Sequence, residues 1–535
     1  MITTTAMISK ASDSKQSDHP SELPCWKRWL LVLGCLALVA TAVNWLLPIP
    51  DVNDFRGFGE ICLLMERRGL LYCINEGWGF ANPLLNYLLT KLTGDLLVSQ
   101  RALGLLGAVG CLIFADRAMW RLFAVSRPVR TAFLLAMICT PWMVGSWVNV
   151  ALDIIPISLT LAAVSMLGAR RLSSYFIAGL VASTASWFRF HFAGYAVVFI
   201  ALVAVHSWGR RPVAKAAITS FGVAVGFAVP VLLTELAFGV PSVTNQKLIV
   251  ALLMDSFSWS VQFQSTLNAM PFSTILSNIH WTKVIVWRFY QLTEWLPFVL
   301  LIALCIIHLA GLIRQRTPLL GRRRFLKHLC QSAISLRNEP TVLVMLFIIT
   351  AISPFLLLRE LTLRLESALF LVAFPWLAGV YSLQRQRLGG GLVLAIILIA
   401  LAGTPTLLYG YLSMHRSFEQ MDREVRAVIP ASVAMNTPEK LVDGITDFPN
   451  RHHRYWLWNP VVMGGWPARW KPLGKEFGVI DLASPPTNAV ISEIKYLLLA
   501  TKPQLVFERY DERWLKLGRR CGDFKNVVVL ELAEH

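Results

Sequence analysis

Apolar runs of bilayer length recur across the first 411 of the 535 residues, at roughly 29–47, 101–116, 131–148, 152–169, 173–188, 192–208, 216–238, 285–312, 341–358, 366–383 and 390–411. About 20 apolar residues cross the hydrocarbon of a membrane, and only helices satisfy their own backbone there. The fold class this pattern predicts is an all-α polytopic membrane domain of about 11–13 transmembrane helices. The segment 82–96 is short and mixed and reads as an extra or re-entrant span. A mean hydropathy of +0.56 with 55% hydrophobic residues agrees with that class.

The net charge of +18 does not point to nucleic acid, because the basic residues lie in short loops between spans. Lys27 and Arg28, Arg117 to Arg130, Arg170 and Arg171, Arg210 to Lys215, Arg314 to Arg337, and Arg385 and Arg387 fall in alternate loops. Positive charge collects in cytoplasmic loops. The expected topology is therefore a multi-pass protein of the inner (cell) membrane with its N-terminus cytoplasmic.

Residues 1–25 are rich in Ser, Thr and Lys and read as a disordered cytoplasmic tail; 26–411 form the membrane domain, with long outer loops at 48–100 and 239–284. From 412 to 535 spans cease and short β-like runs appear, Leu505-Val506-Phe507 and Val527 to Leu530, with Asp443-Gly444, Asn459-Pro460 and Gly464-Gly465 as turn signals. This part reads as a small extracytoplasmic α/β domain. Its Trp456, Trp458, Trp466 and Trp470 suit either sugar stacking or the membrane interface. No CxxC pair or His/Cys zinc spacing occurs. Cys62 and Cys73 fit two free or buried thiols at least as well as a disulfide.

The first outer loop carries the chemistry-bearing pattern. Asp51 and Asp54 follow Pro48-Ile49-Pro50, and Arg56 comes next. Phe58, Ile61, Cys62, Met65 and Gly69 then share one helical face. Such a helix lies in the membrane interface and holds charge at headgroup depth. Two acids at a span end also suit simple interface anchors.

Asp153 opens another span, in Ala151-Leu152-Asp153-Ile154-Ile155-Pro156, where it is either a hydrated rim residue or a functional acid. Phe188-Arg189-Phe190-His191 sits in an outer turn, with snorkelling and phosphate binding as the two readings. Arg364, near Glu360, and Lys283 in the long outer loop are further phosphate candidates.

The outer loop resembles that of GT-C integral membrane glycosyltransferases, specifically the aminoarabinose transferases of lipid A and the protein O-mannosyltransferases. Their first loop reads D-E-x-x-Y-x-x-x-A and closes on a Gly. Asp54, Phe58 and Gly69 take the Asp, aromatic and Gly places; Phe55 stands where the family has Glu, leaving Asp51 as the nearest second carboxylate. Gly77-Trp78-Gly79-Phe80, Asn82-Pro83-Leu84-Leu85, Leu92-Thr93-Gly94-Asp95 and Gln100-Arg101-Ala102-Leu103 continue the family's order over about fifty residues.

The resemblance implies sugar transfer from a polyprenyl-phosphate donor to an extracytoplasmic lipid, glycan or protein acceptor, with inversion. It gives Asp54, with Asp51 and Asp153, the acid-base work. Arg56, Arg189, His191, Lys283 and Arg364 would bind the lipid phosphate and sugar. Some branches of the class use a divalent cation and others none; the missing Glu weakens the case for one. The alternative reading is a transporter or flippase of a lipid-linked glycan, which would place its acids near mid-span rather than at the rim.

Overall fold

The computed structural model describes residues 24–46, 65, 70, 80–94, 96–148, 153–189, 192–207, 211–238, 296–307, 363–384, 388–426, 442–444, 496–500, 516, 518–523 and 527–532. The helices are α1 (Cys25–Leu46), α2 (Ala81–Thr93), α3 (Leu96–Phe123), α4 (Arg127–Cys139), α5 (Pro141–Val148), α6 (Ile154–Ser165), α7 (Leu172–Phe188), α8 (Phe192–His206), α9 (Pro212–Phe238), α10 (Leu296–Ile307), α11 (Leu363–Gln384) and α12 (Leu388–Arg426). Among the described residues four helices are long and apolar enough to cross a membrane, or five if the bent pair α4–α5 is one span. Shorter apolar helices fill the bundle between them, and the chain is a multi-pass membrane protein. The expected span at 341–358 lies outside the described residues.

Burial separates the helices into layers. α1 buries only the stripe Arg28, Val32, Leu36, Ala40 and Val43, one face at helical spacing. Its Leu30, Leu33, Leu38 and Trp45 are exposed, as lipid-facing side chains would be. α6 is apolar on all sides and almost wholly buried, so it is the bundle's centre. It ends at Ser165, short of the expected 169, because Gly168 takes a positive φ of 76° and turns the chain. α11 is the second buried core helix: Trp376, Phe370 and Phe374 are fully enclosed, and Phe370 stacks on Trp142 at 3.9 Å.

Close approach depends on glycine. A Cβ on Gly222 of α9 would strike the Phe176 carbonyl of α7, and one on Gly226 would strike the Ser183 hydroxyl. Small residues four apart let membrane helices touch along their backbones. Replacing Gly222 with Leu overpacks this seam and lowers stability by about 1–3 kcal/mol; thermal unfolding of purified protein in detergent checks it.

The expected single span at 131–148 is a bent pair of helices, with 51° between α4 and α5. Pro141 disfavours helical geometry in the residue before it, and Thr140 is extended (φ −75°, ψ 151°). Thr140 mends the break on both sides: its hydroxyl donates to the Met137 carbonyl at 2.8 Å and accepts from the Met143 N–H at 3.4 Å. Thr404 of α12 donates to the Cys139 carbonyl at 2.7 Å. Segment 82–96 is not a span. α2 has 13 residues, about 20 Å of helix, and ends at Gly94, left-handed at φ 75°.

The basic end of the bundle is locked by charge. Arg28 of α1 donates to Asp116 of α3, and the Nε of Arg130 of α4 lies 3.4 Å from the same oxygen. Arg28, expected in a solvated loop, is 3% exposed. Asp116→Ala would leave two buried guanidinium groups without their counter-charge, at about 3 kcal/mol or more. The expected result is a clear fall in the unfolding temperature, checked in detergent against Asp116→Glu.

α12 runs on to Arg426, past the end of the last apolar run. Beyond it β1 (Val442–Gly444), β2 (Tyr496–Ala500), β3 (Gly518–Asp523) and β4 (Val527–Leu532) form a mixed sheet in the order β1-β2-β4-β3. β1 pairs parallel with β2; β4 pairs antiparallel with β2 and β3, with a bulge between Arg520 and Gly522. The strand expected at Val527 to Leu530 is β4. Asp443-Gly444, expected as a turn, is instead most of the three-residue edge strand β1, whose pairing with Leu497 and Leu498 overrides the local turn signal. Leu505 to Phe507 and the tryptophans of this part lie outside the described residues.

Candidate functional site

Chain direction sorts the polar residues to two ends. The starts of α3, α6 and α8 and the ends of α5 and α7 lie opposite the basic end. The register is fixed by contacts: Gly104 of α3 meets Trp147, Gly107 meets Ile154, and Gly110 meets Ser158. α3 and α6 therefore run parallel, and Gln100 stands about two turns, roughly 10 Å, further out than Gly107.

Asp153 and Arg189 meet at this end. Asp153 occupies the N-cap position of α6, but its side chain makes no capping bond. It turns to Arg189, whose Nε is 2.9 Å from Oδ1. The pair is buried, with 4% of the Asp153 side chain and 10% of the Arg189 side chain exposed. Oδ1 has no aligned hydrogen-bond donor despite that distance, so charge rather than a directed bond holds the contact. The N-terminus of α6 adds its partial positive charge to the same carboxylate.

The turn that presents Arg189 follows from its backbone. Arg189 is extended (φ −148°, ψ 119°) at the close of α7, and its carbonyl accepts from the Phe192 N–H at 3.0 Å. Tyr195, one turn into α8, is 4% exposed, lies within reach of the Asp153 charge and stacks on Phe192.

A polar wall continues onto α2 and α3. Asn82, Asn86, Ser99 and Gln100 are all buried. The Asn86 amide donates to the Asn82 carbonyl at 2.9 Å, and Thr90 donates to Ser99 at 3.2 Å. Neither polar atom of the Gln100 carboxamide has a hydrogen-bond partner, nor does the Ser146 hydroxyl. Buried amides and hydroxyls in an apolar bundle are costly unless something satisfies them.

Met65 also lies at this place. It is the residue of the expected apolar helix face that the structure describes, and it is buried with Phe80, Ala81 and Phe188, the neighbour of Arg189. Phe80 also lies 5.4 Å from the ring of Trp187.

Of the residues singled out from the sequence, the structure brings Asp153 and Arg189 together. Arg364 lies in the first turn of α11; the Trp142–Phe370 and Phe133–Tyr381 contacts set that helix's direction and put its start at the same end. Asp51, Asp54, Arg56, His191 and Lys283 lie outside the described residues, as do Cys62 and Cys73. Tyr195, Ser146 and Gln100 were not expected as site residues, although a polar side chain inside an apolar span was the available signal. Among the described residues no three His, Cys, Asp or Glu side chains gather in a group able to hold a metal ion.

No protein-family model matches the chain, and no curated protein matches it. Among solved structures, ArnT from Cupriavidus metallidurans in the apo state gives a TM-score of 0.53 at 11% identity, covering 96% of this chain and 99% of that one. ArnT from Cupriavidus metallidurans bound to undecaprenyl phosphate gives 0.49 at 10% identity, with 95% and 98% covered. The apo structure establishes the fold. This chain has the polytopic helical architecture of ArnT, an aminoarabinose transferase of the GT-C class, the class whose outer-loop motifs it resembles.

Proposed function

We propose that the chain is a glycosyltransferase that moves a sugar from a polyprenyl-phosphate donor to an acceptor at the end of the bundle that holds Asp153 and Arg189. The observation that carries the reading is the buried Asp153–Arg189 pair at the end of an ArnT-like fold opposite its basic end. A planar five-donor cation can be held along one edge and serve a phosphate along another. Asp153 is then a positioning residue that orients Arg189, and Arg189 stabilises charge on the departing lipid phosphate. His191 and Arg364 supply further positive charge there.

Asp54 removes the proton of the acceptor nucleophile as it attacks the anomeric carbon. The bond to phosphate breaks on the far face, so the anomeric centre inverts and the carrier leaves as polyprenyl phosphate. Asp51 stands by as the second carboxylate, and Arg56 and Lys283 line the approach of the headgroup. Gln100, Asn82 and Asn86 offer amides for sugar hydroxyls. The acceptor is a lipid, glycan or protein on the outer side of the inner membrane, with the N-terminus cytoplasmic and the sheet domain outside. The sequence positions of Asp51, Asp54 and Asp153, beside the ends of apolar runs rather than within them, favour bond chemistry over a transport pathway.

Purified protein in lipid, given a panel of labelled polyprenyl-phosphate hexoses and pentoses with cell-envelope acceptors, is expected to release carrier phosphate from at least one donor and yield a product of inverted anomeric configuration by NMR. A product of retained configuration would overturn the one-step displacement, and no product from any donor would overturn the function.

A further inference from the structure

The basic end of the bundle holds a pocket that sugar transfer does not use. Between the end of α3, the turn after α6 and the start of α7 lies a cleft of about 310 Å³. Arg117, Arg121, Arg170 and Arg171 line it, and no acid does. Arg121 is anchored by its bond to the Ser165 carbonyl at 3.3 Å. Asp116, the nearest carboxylate on α3, is taken by Arg28 and Arg130 on the other side of that helix. Four guanidinium groups without a carboxylate among them are a strong anion site.

The walls are not those of a site for a small soluble anion. Met166, Ala169 and Ile177 contribute apolar surface to the cleft. Leu172 and Ile177 beside it remain 37% and 46% exposed, which suits an acyl chain running along α7. Trp120, between Arg117 and Arg121 in sequence, is 63% exposed. An exposed Trp next to basic residues marks headgroup depth. Basic pockets between membrane helices are suited to the headgroups of anionic lipids.

We propose that this cleft binds the phosphate headgroup of an anionic phospholipid from the leaflet at the basic end, with the acyl chain against Leu172 and Ile177. The proposal rests on the membrane-spanning fold and is independent of the sugar-transfer reading.

The test uses the full chain, purified and delipidated in detergent, with phosphatidylglycerol or phosphatidylcholine added and retention read by native mass spectrometry. Phosphatidylglycerol is expected to be retained at least about 10-fold better than phosphatidylcholine. The double variant Arg170→Gln/Arg171→Gln loses that preference, and so does Ile177→Glu, which puts a carboxylate in the wall. Arg211→Gln, at the same end but outside the cleft, keeps it. Excess inorganic phosphate fails to displace the lipid. Equal retention of both lipids, or a preference that survives both cleft variants, would overturn the proposal. Displacement by inorganic phosphate would overturn it in favour of a soluble phosphate ligand.

Discussion

Asp54→Asn lowers sugar transfer by about 10²–10⁴-fold, the usual worth of a positioned acid or base, while donor binding and the yield of folded protein stay unchanged. The change keeps the shape of the side chain and removes its ability to take a proton from the acceptor. The effect is expected to fall on turnover rather than folding because the substitution conserves the size and shape of the side chain. Met65, the described residue of the helix face that follows Asp54 in sequence, packs against Phe80, Ala81 and Phe188. A variant with full turnover at normal expression would remove Asp54 from the mechanism.

Arg189→Ala has two effects that separate cleanly. It strands the Asp153 carboxylate, 4% exposed, without its counter-charge, at a cost of about 3–5 kcal/mol. It also removes the cation proposed for the leaving phosphate, lowering turnover by about 10²-fold or more. Arg189→Lys keeps the charge but not the two-edged fork, so it regains much of the stability and little of the turnover. The double variant Asp153→Asn/Arg189→Gln removes both charges and is expected to fold stably and remain inactive. If it instead restores turnover along with stability, the pair serves only the fold.

The periodicity of apolar residues made most of the bundle legible, because lipid leaves the backbone no alternative to helix. What it missed is tertiary. Pro141 broke a span that hydropathy reads as continuous, and the break is mended by Thr140 itself and by Thr404, distant in sequence. Arg28 stood out in the sequence as a basic residue beside the first span, yet only packing shows that it is buried against Asp116. The segment 82–96 offered an extra span, but its helix α2 has 13 residues and ends at the left-handed Gly94, too short to cross a bilayer.

The site was half legible. Asp153 and Arg189 each stood out as charges at span ends, but they are 36 residues apart and nothing in either local pattern pairs them. Gln100 lay within a motif already noticed; its unsatisfied amide emerges only once α3, α5 and α6 are packed in register. Asp443-Gly444 shows the converse, a strong local turn signal overridden by strand pairing.

The central claim is that this bundle makes a bond rather than a passage. Proteoliposomes containing the purified chain and a polyprenyl-phosphate sugar, labelled separately on sugar and carrier, test it most directly. In the presence of acceptor the sugar label is expected to leave the carrier and become covalently bound to acceptor, with wild type active and Asp54→Asn silent. Movement of both labels together across the bilayer, with no separation of sugar from carrier, would contradict it and identify a transporter.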